Sequence, residues 1–190
     1  MNYKLLALGG DGIGPEVLES GLSILEAISK KNNLNFEISF DLIGGACWDK
    51  YGTFCRNSTI EKAIESDAIL VGAVGGPKWD AMKIKGDPEE QDGLMCLRKK
   101  LGAFFGIRPA KNYKSLQNII PFNKEYVQNS EIIILREMCG GVMFSKPRGL
   151  KFLENDERYG FDTAGYNEFE IREFAKCGFE LAKMYNKNII

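Results

Sequence analysis

Histidine is absent from all 190 residues. That excludes a Ser-His-Asp or Cys-His catalytic arrangement built from this chain alone. Proton transfer falls instead to Asp, Glu, Lys, Tyr or Cys, and a metal ion would be a hard cation held by carboxylates. No sign of charge dominates: 25 Lys and Arg stand against 26 Asp and Glu, a net charge of −1. Without a basic block, nucleic acid is not an expected partner. Long apolar runs are missing too. The strongest, "AILVGAV" and "IIIL", are far too short to span a bilayer, so no membrane partner is expected. The N-terminus lacks the basic region and apolar core of a secretory signal, and the expected location is cytoplasmic. Five cysteines, at 47, 55, 96, 139 and 177, are odd in number and form no CxxC pair. This points to reduced thiols rather than a disulfide framework or zinc site.

What is present reads as a soluble globular chain, 44% hydrophobic and 27% charged. Near its start stands "ALGGDGIGPEV". Gly10 and Gly12 fit the first two positions of the dinucleotide fingerprint G-x-G-x-x-G. The third position is Pro15. The backbone plan nevertheless predicts a strand, "YKLLAL", then a glycine turn, then a helix opened by Pro15. Val17, Leu18, Leu22, Leu25 and Ile28 recur at helical spacing up to Lys30 and Lys31. Such a turn can admit a ligand closely and offer a helix N-terminus to an anion. It can equally be a plain structural connection.

Strands and helices alternate beyond it. "NFEISFDLI" (35–43) reads as a strand. "STIEKAIES" (58–66) reads as a helix with Ser58 and Glu61 in capping-box spacing. "AILVGAV" (68–74) reads as a buried strand, 93–101 as a helix, and "FFGIRPAK" and "EIIILREM" as strands. A long helix over 167–186 places Ile171, Phe174, Gly178, Leu181 and Tyr185 on one face. The pattern predicts an α/β fold with a largely parallel sheet and flanking helices. The apolar end "Ile189-Ile190" suggests a truncated chain.

Three arginines carry the sharpest chemical signal. Arg98 lies late in the 93–101 helix, while Arg108 and Arg136 end the apolar strands "FFGIRP" and "IIILRE". A charge buried in such runs requires a partner. Alternation turns the adjacent Glu137 to the opposite face from Arg136. Arginine suits bidentate carboxylate binding. The three therefore either clamp a small dicarboxylate or make internal ion pairs.

"GGDGIGPEV", "VGAVGGPKWD", "LRKKLGAFFGIRPAK" and "LREMCGGVMFSKPRG" occur in the order found in 3-isopropylmalate dehydrogenases. The chain thus resembles the decarboxylating β-hydroxyacid dehydrogenases, a family that includes isocitrate and tartrate enzymes. "DTAGYNEFEIREFAKCGFELAKM" extends the resemblance over the whole chain. It implies an isopropylmalate-dehydrogenase-like fold, truncated, in which the glycine turn helps form the cofactor cleft without being a standard Rossmann turn. Residues 1–102 would form the first part of a cofactor-binding domain. Residues 103–190 would form a partial second α/β domain with substrate arginines and, around "GGVMFSKPRG", the arm that joins a homodimer.

The resemblance also implies roles. Arg98, Arg108 and Arg136 match the arginines that hold the malate carboxylates. Leu94 and Met95 lie four and three positions before Arg98 and share its helix face, an apolar wall suited to an isopropyl group. The cofactor loop runs through Gly75, Gly76, Pro77, Lys78, Trp79 and Asp80 to Gln91. The family's nicotinamide-side glutamate falls on Gln91, in a loop longer by two residues, with Glu89 and Glu90 as alternatives. The implied cofactors are NAD and Mg2+ or Mn2+, with the metal ligands and catalytic lysine beyond residue 190. The implied activity is oxidative decarboxylation of 3-isopropylmalate in leucine biosynthesis, the isolated chain being inactive. Met143 occupies the family's catalytic tyrosine position, four residues before the proline of "PRG". A thioether cannot donate a proton, so no catalytic residue is assigned. The alternatives are another enzyme of the family, acting on tartrate, malate or isocitrate, and a non-catalytic regulatory subunit.

Overall fold

Leu5, Leu6, Ala7 and Leu8 are all buried, because the strand that carries them is covered on both faces. This is β1 (Asn2–Gly10) in a computed structural model that describes residues 2–82, 86–128 and 130–190. The side chains of Pro88 and Glu89 also fall outside that description. The chain divides into two units, Met1–Gly102 and Ala103–Ile190.

In the first unit, β1 is followed by α1 (Gly14–Asn32), β2 (Asn35–Asp41), α2 (Gly45–Tyr51), α3 (Asn57–Ile64) and β3 (Ala68–Ala73). Then come α4 (Pro77–Asp80), α5 (Pro88–Gln91) and α6 (Gly93–Leu101). The sheet order is β2-β1-β3, all parallel, with Leu6 opposite both Ser39 and Ile69. Leu6 and Leu8 join Ile43, Ile60, Ala63 and Leu97 in the core. Burying each leucine is worth roughly 1.5–3 kcal/mol.

The helical face of α1 is narrower than the sequence spacing implies. Leu18 is buried and Leu22 and Leu25 half-buried, but Val17 and Ile28 are exposed. They sit roughly 80–100° round the helix from Leu18, off the edge of a narrow three-stranded sheet. β3 is half-buried rather than buried, because it is an edge strand. α2 and the short helices α4 and α5 had no periodic signal.

The expected Ser58–Glu61 capping box does not form. α3 starts one residue earlier, with Arg56 as an extended N-cap (φ −88°, ψ 153°) and no side-chain cap. Arg56 is held there by pairing with Asp41, which Lys62 also reaches at 2.8 Å. The Asp41 side chain is only 3% exposed. Desolvation pushes its carboxyl up, but hydrogen bonds from Lys62, the Leu42 N–H and Arg56 together outweigh it and hold it low. A carboxyl depressed in the folded state contributes stability above its unfolded pKa of about 4 and loses it as pH falls through the folded value. Asp41→Asn is therefore expected to flatten the fall in urea midpoint between pH 5 and about pH 2. An unchanged acid slope would show that other carboxylates set it.

The second unit contains β4 (Phe105–Lys111), α7 (Lys124–Val127), β5 (Glu131–Glu137), β6 (Gly149–Phe152), β7 (Arg158–Phe161) and α8 (Glu168–Tyr185). Its ladders are antiparallel: β4 pairs β5 with Phe105 opposite Glu137, and β6 pairs β7. The parallel pairing thus belongs to the first unit. Asn167 and Glu170 close a capping box on α8. Gly178 lets this helix approach β5, since a Cβ there would lie 3.3 Å from Leu135 Cδ1. Ile171 and Tyr185, at the ends of the expected apolar face, are exposed.

Candidate active site

The glycine turn after β1 is occupied by its own chain. A Cβ on Gly10 would fall 1.9 Å from the Ala73 carbonyl oxygen, and one on Gly14 would fall 2.2 Å from that of Gly9. The Asp11 N–H donates to Ala73 O at 2.6 Å. Gly10 and Gly14 therefore permit close packing of β1, α1 and β3, whereas a Cβ on Gly12 would meet nothing among the described residues within 4 Å.

Asp11 is the organising residue, at 4% exposure. Its Oδ2 accepts from the Gly45 and Gly75 N–H groups, both at 2.8 Å, and its Oδ1 from Ala46 N–H at 2.7 Å. One carboxylate thus joins the glycine turn, the start of α2 and the loop after β3. Nothing local in the sequence announces this, because its partners lie 34, 35 and 64 residues away.

That loop borders a cavity of about 170 Å³, with Gly75, Trp79, Asp80 and Gln91 among its lining residues. Trp79 lies against Gly45, where a Cβ would come 2.1 Å from the indole. Its Nε1–H donates to Asp49 Oδ1 at 3.2 Å, and Lys78 pairs with Asp49 Oδ2 at 2.6 Å. The Lys78 hydrogen bond, then that of Trp79, holds the Asp49 carboxyl below its usual range. Asp49, on α2, was not anticipated from the sequence. Pro77 opens α4 and Gly76 is its N-cap. The Glu90 carboxylate accepts from Asp87 N–H and closes the capping box of α5. Gln91 donates to Gly86 O at 2.6 Å. The Glu89 side chain lies outside the described residues.

Asp92 caps α6, accepting from the Leu94 and Met95 N–H groups at 2.7 and 3.1 Å. The core takes Cys96, Leu97 and Leu101 from this helix. Leu94, Met95 and Arg98 are half-buried beside it. In the second unit, Gly106 pairs with Arg136 and Arg108 with Ile134. Alternation then puts Arg108 and Arg136 on one face of the ribbon as diagonal neighbours. Both are exposed, so the burial expected from their apolar runs is not met. A two-stranded ribbon covers less of its surface than those runs suggest. Among the described residues, none of the three arginines pairs with a carboxylate.

The sequence profile of the isocitrate/isopropylmalate dehydrogenase family matches residues 4–190. The chain belongs to this family. It is 42% identical over 189 residues to the 3-isopropylmalate dehydrogenase of Xanthomonas euvesicatoria pv. vesicatoria, covering 100% of this chain and 52% of that protein. It is 43% identical to the same-named protein of Pseudomonas fluorescens, with the same coverage. The chain spans about half the length of these curated relatives. Among solved structures, isocitrate dehydrogenase from Methylococcus capsulatus matches with a TM-score of 0.76 at 16% identity, over 98% of this chain and 49% of that one. A β-decarboxylating dehydrogenase from Thermococcus kodakarensis matches with a TM-score of 0.66 at 23% identity, over 97% and 47%. These two likenesses establish the shared α/β fold.

Within this family member, Met143 sits in a turn braced from several sides. Arg136 Nη2 approaches its Sδ at 3.7 Å. Arg148 donates to Val142 O at 2.7 Å and to Ser145 O at 3.0 Å. Gly141 N–H and Ser145 Oγ–H both donate to Gly165 O. Tyr166 lies over the turn, its hydroxyl 2.3 Å from where a Gly141 Cβ would be. Glu137 turns away from Arg136 and accepts from Cys139 and Gly140 N–H groups. Among the described residues, no group of three or more His, Cys, Asp or Glu could hold a metal ion.

Proposed function

We propose that this chain contributes to the NAD-dependent oxidative decarboxylation of 3-isopropylmalate to 2-oxo-4-methylpentanoate, in leucine biosynthesis. The observation that carries the reading is the Arg108 and Arg136 pair, on one ribbon face and without carboxylate partners among the described residues. In this reading their guanidinium groups bind the substrate carboxylates, and Arg98, in the first unit, matches a further substrate-binding arginine of the family. The choice of substrate within the family rests on relatives of that name at 42–43% identity and on Leu94 and Met95. An apolar wall favours an isopropyl group by roughly 2 kcal/mol. A third carboxylate, as in isocitrate, would find no polar partner at these two positions.

The cavity beside Gly75, Trp79, Asp80 and Gln91 is about 170 Å³, room for one ring-sized part of NAD. Gly75 leaves its wall open, with only Asp80 Oδ1 among the described residues within 4 Å of a built Cβ. Gly76, Pro77, Lys78 and Glu90 shape the loop around it, with Asp49 and Asp11 as anchors. NAD, when bound, supplies the hydride acceptor. In this reading residues 1–102 carry the cofactor side and residues 103–190 the substrate arginines and dimer arm. The β6–β7 hairpin, with Leu150 and Phe152 each 71% exposed, is the part of that arm suited to a second copy. The assembled protein is a cytoplasmic homodimer. A second reading, a non-catalytic pairing subunit, is favoured by Met143 alone.

The test uses a chimera in which this chain replaces the corresponding half of a 3-isopropylmalate dehydrogenase. Arg108→Met and Arg136→Met should each lower kcat/KM about 10- to 100-fold, the loss of a charge-assisted hydrogen bond of about 1.5–3 kcal/mol. The melting temperature should hold, since no ion pair is broken. Near-normal kinetics with a lowered melting temperature would make the arginines structural.

A further inference from the structure

We infer that Cys55 and Cys96 are a redox-modifiable pair, which a small-molecule disulfide converts to an intramolecular disulfide tying α6 to the loop between α2 and α3. Neither residue suggests this from sequence, because 40 residues separate them and no CxxC spacing marks them. In the fold both pack on the same core cluster, and Cys96 is one of the neighbours that raise the Cys55 thiol. The backbones that carry them are in contact. A Cβ on Gly93 would fall 2.3 Å from the Phe54 carbonyl oxygen. Cys55 follows Phe54, and Cys96 stands about one helical turn beyond Gly93. Close approach of this kind is what disulfide geometry requires.

Access separates these thiols from Cys47, which is also in the first unit. Cys47 is fully buried, whereas Cys55 and Cys96 are partly exposed. Burial, followed by the neighbouring Cys96, pushes the Cys55 thiol up to about 12, making it the poorer first nucleophile. In the proposed order the Cys96 sulfur attacks first, losing its proton as it does so. It breaks the S–S bond of glutathione disulfide, forms a mixed disulfide and releases one glutathione thiolate. Cys55 sulfur then displaces the second glutathione as its own proton leaves. The net change removes two S–H bonds from the protein and forms one S–S bond. The protein loses two electrons, and glutathione disulfide gains them as two thiols. Phe54, Asp92 and Gly93 all line the 170 Å³ cavity, so the new bond fixes one wall of it. The inference does not depend on the substrate assigned above.

The test is thiol counting on the 190-residue chain after incubation with glutathione disulfide. Remaining thiols are alkylated with N-ethylmaleimide in denaturant, and the masses of the intact chain and its peptides are read. The reduced chain should take five labels, one per cysteine. The oxidised chain should take only those of Cys47, Cys139 and Cys177, and a single cross-linked peptide should join 55 to 96. Dithiothreitol should restore all five labels. Cys47→Ser should keep the cross-link, and Cys96→Ser should abolish it. Full labelling after oxidation, separate glutathione adducts on 55 and 96, or a cross-link to Cys47 would each overturn the inference.

Discussion

Asp11→Ala lowers the stability of the first unit by about 3–5 kcal/mol, the expected cost of stranding the partners of a buried charge. That is a shift of order 10²–10³ in the folding equilibrium. The reason is the number of segments held by one carboxylate. Gly45, Ala46 and Gly75 all donate to it at 2.7–2.8 Å, and alanine leaves three N–H groups without an acceptor. Asp11→Asn keeps one acceptor oxygen and should lose less. Urea unfolding followed by tryptophan fluorescence measures the change, with Trp48 and Trp79 both in this unit. A loss below about 1 kcal/mol would mean that water or a relaxed backbone satisfies these donors.

The second large effect concerns Met143. In the chimera described above, Met143→Tyr should speed decarboxylation of the β-keto acid by ~10²- to 10⁴-fold, the usual worth of a placed general acid. Hydride transfer precedes this stage and should change much less. The side chain at 143 lies in a braced turn next to Arg136, so a phenol placed there meets that guanidinium. Tyr166 already lies over the same turn. A gain well under 10² that disappears in a Tyr166→Phe background would show that Tyr166 supplies the proton. The measurement follows loss of the keto intermediate separately from NADH formation. An unchanged rate with the tyrosine in place would show that Met143 does not limit this stage. A chimera inert with either residue would favour the non-catalytic subunit.

Much of the local structure was legible because local chemistry dictates it. Pro15 at the start of α1 and the apolar run of β1 act over a few residues, and both elements form where those signals lie. The α3 capping box failed for a non-local reason: Asp41, on another strand, holds Arg56 at the helix start. The face of α1 was over-read because periodicity gives the direction of an apolar stripe and not the width of the sheet beneath it.

The same division runs through the candidate site. Four ordered motifs and the identity of three arginines were determined by sequence alone, as was the lack of any histidine. Sequence also supplied the alternation that puts Arg108 and Arg136 on a shared face, once the ribbon was known. Only the tertiary structure decided the register that makes them diagonal neighbours, and their exposure. It alone decided that Asp11 binds three distant N–H groups, that Asp49 anchors Lys78 and Trp79, and that Cys55 and Cys96 pack on one core cluster. The physical reason is separation along the chain. Propensity, capping and periodicity act within a few residues, whereas these contacts join groups tens of residues apart. Their partners become neighbours only after the sheet and its helices have packed.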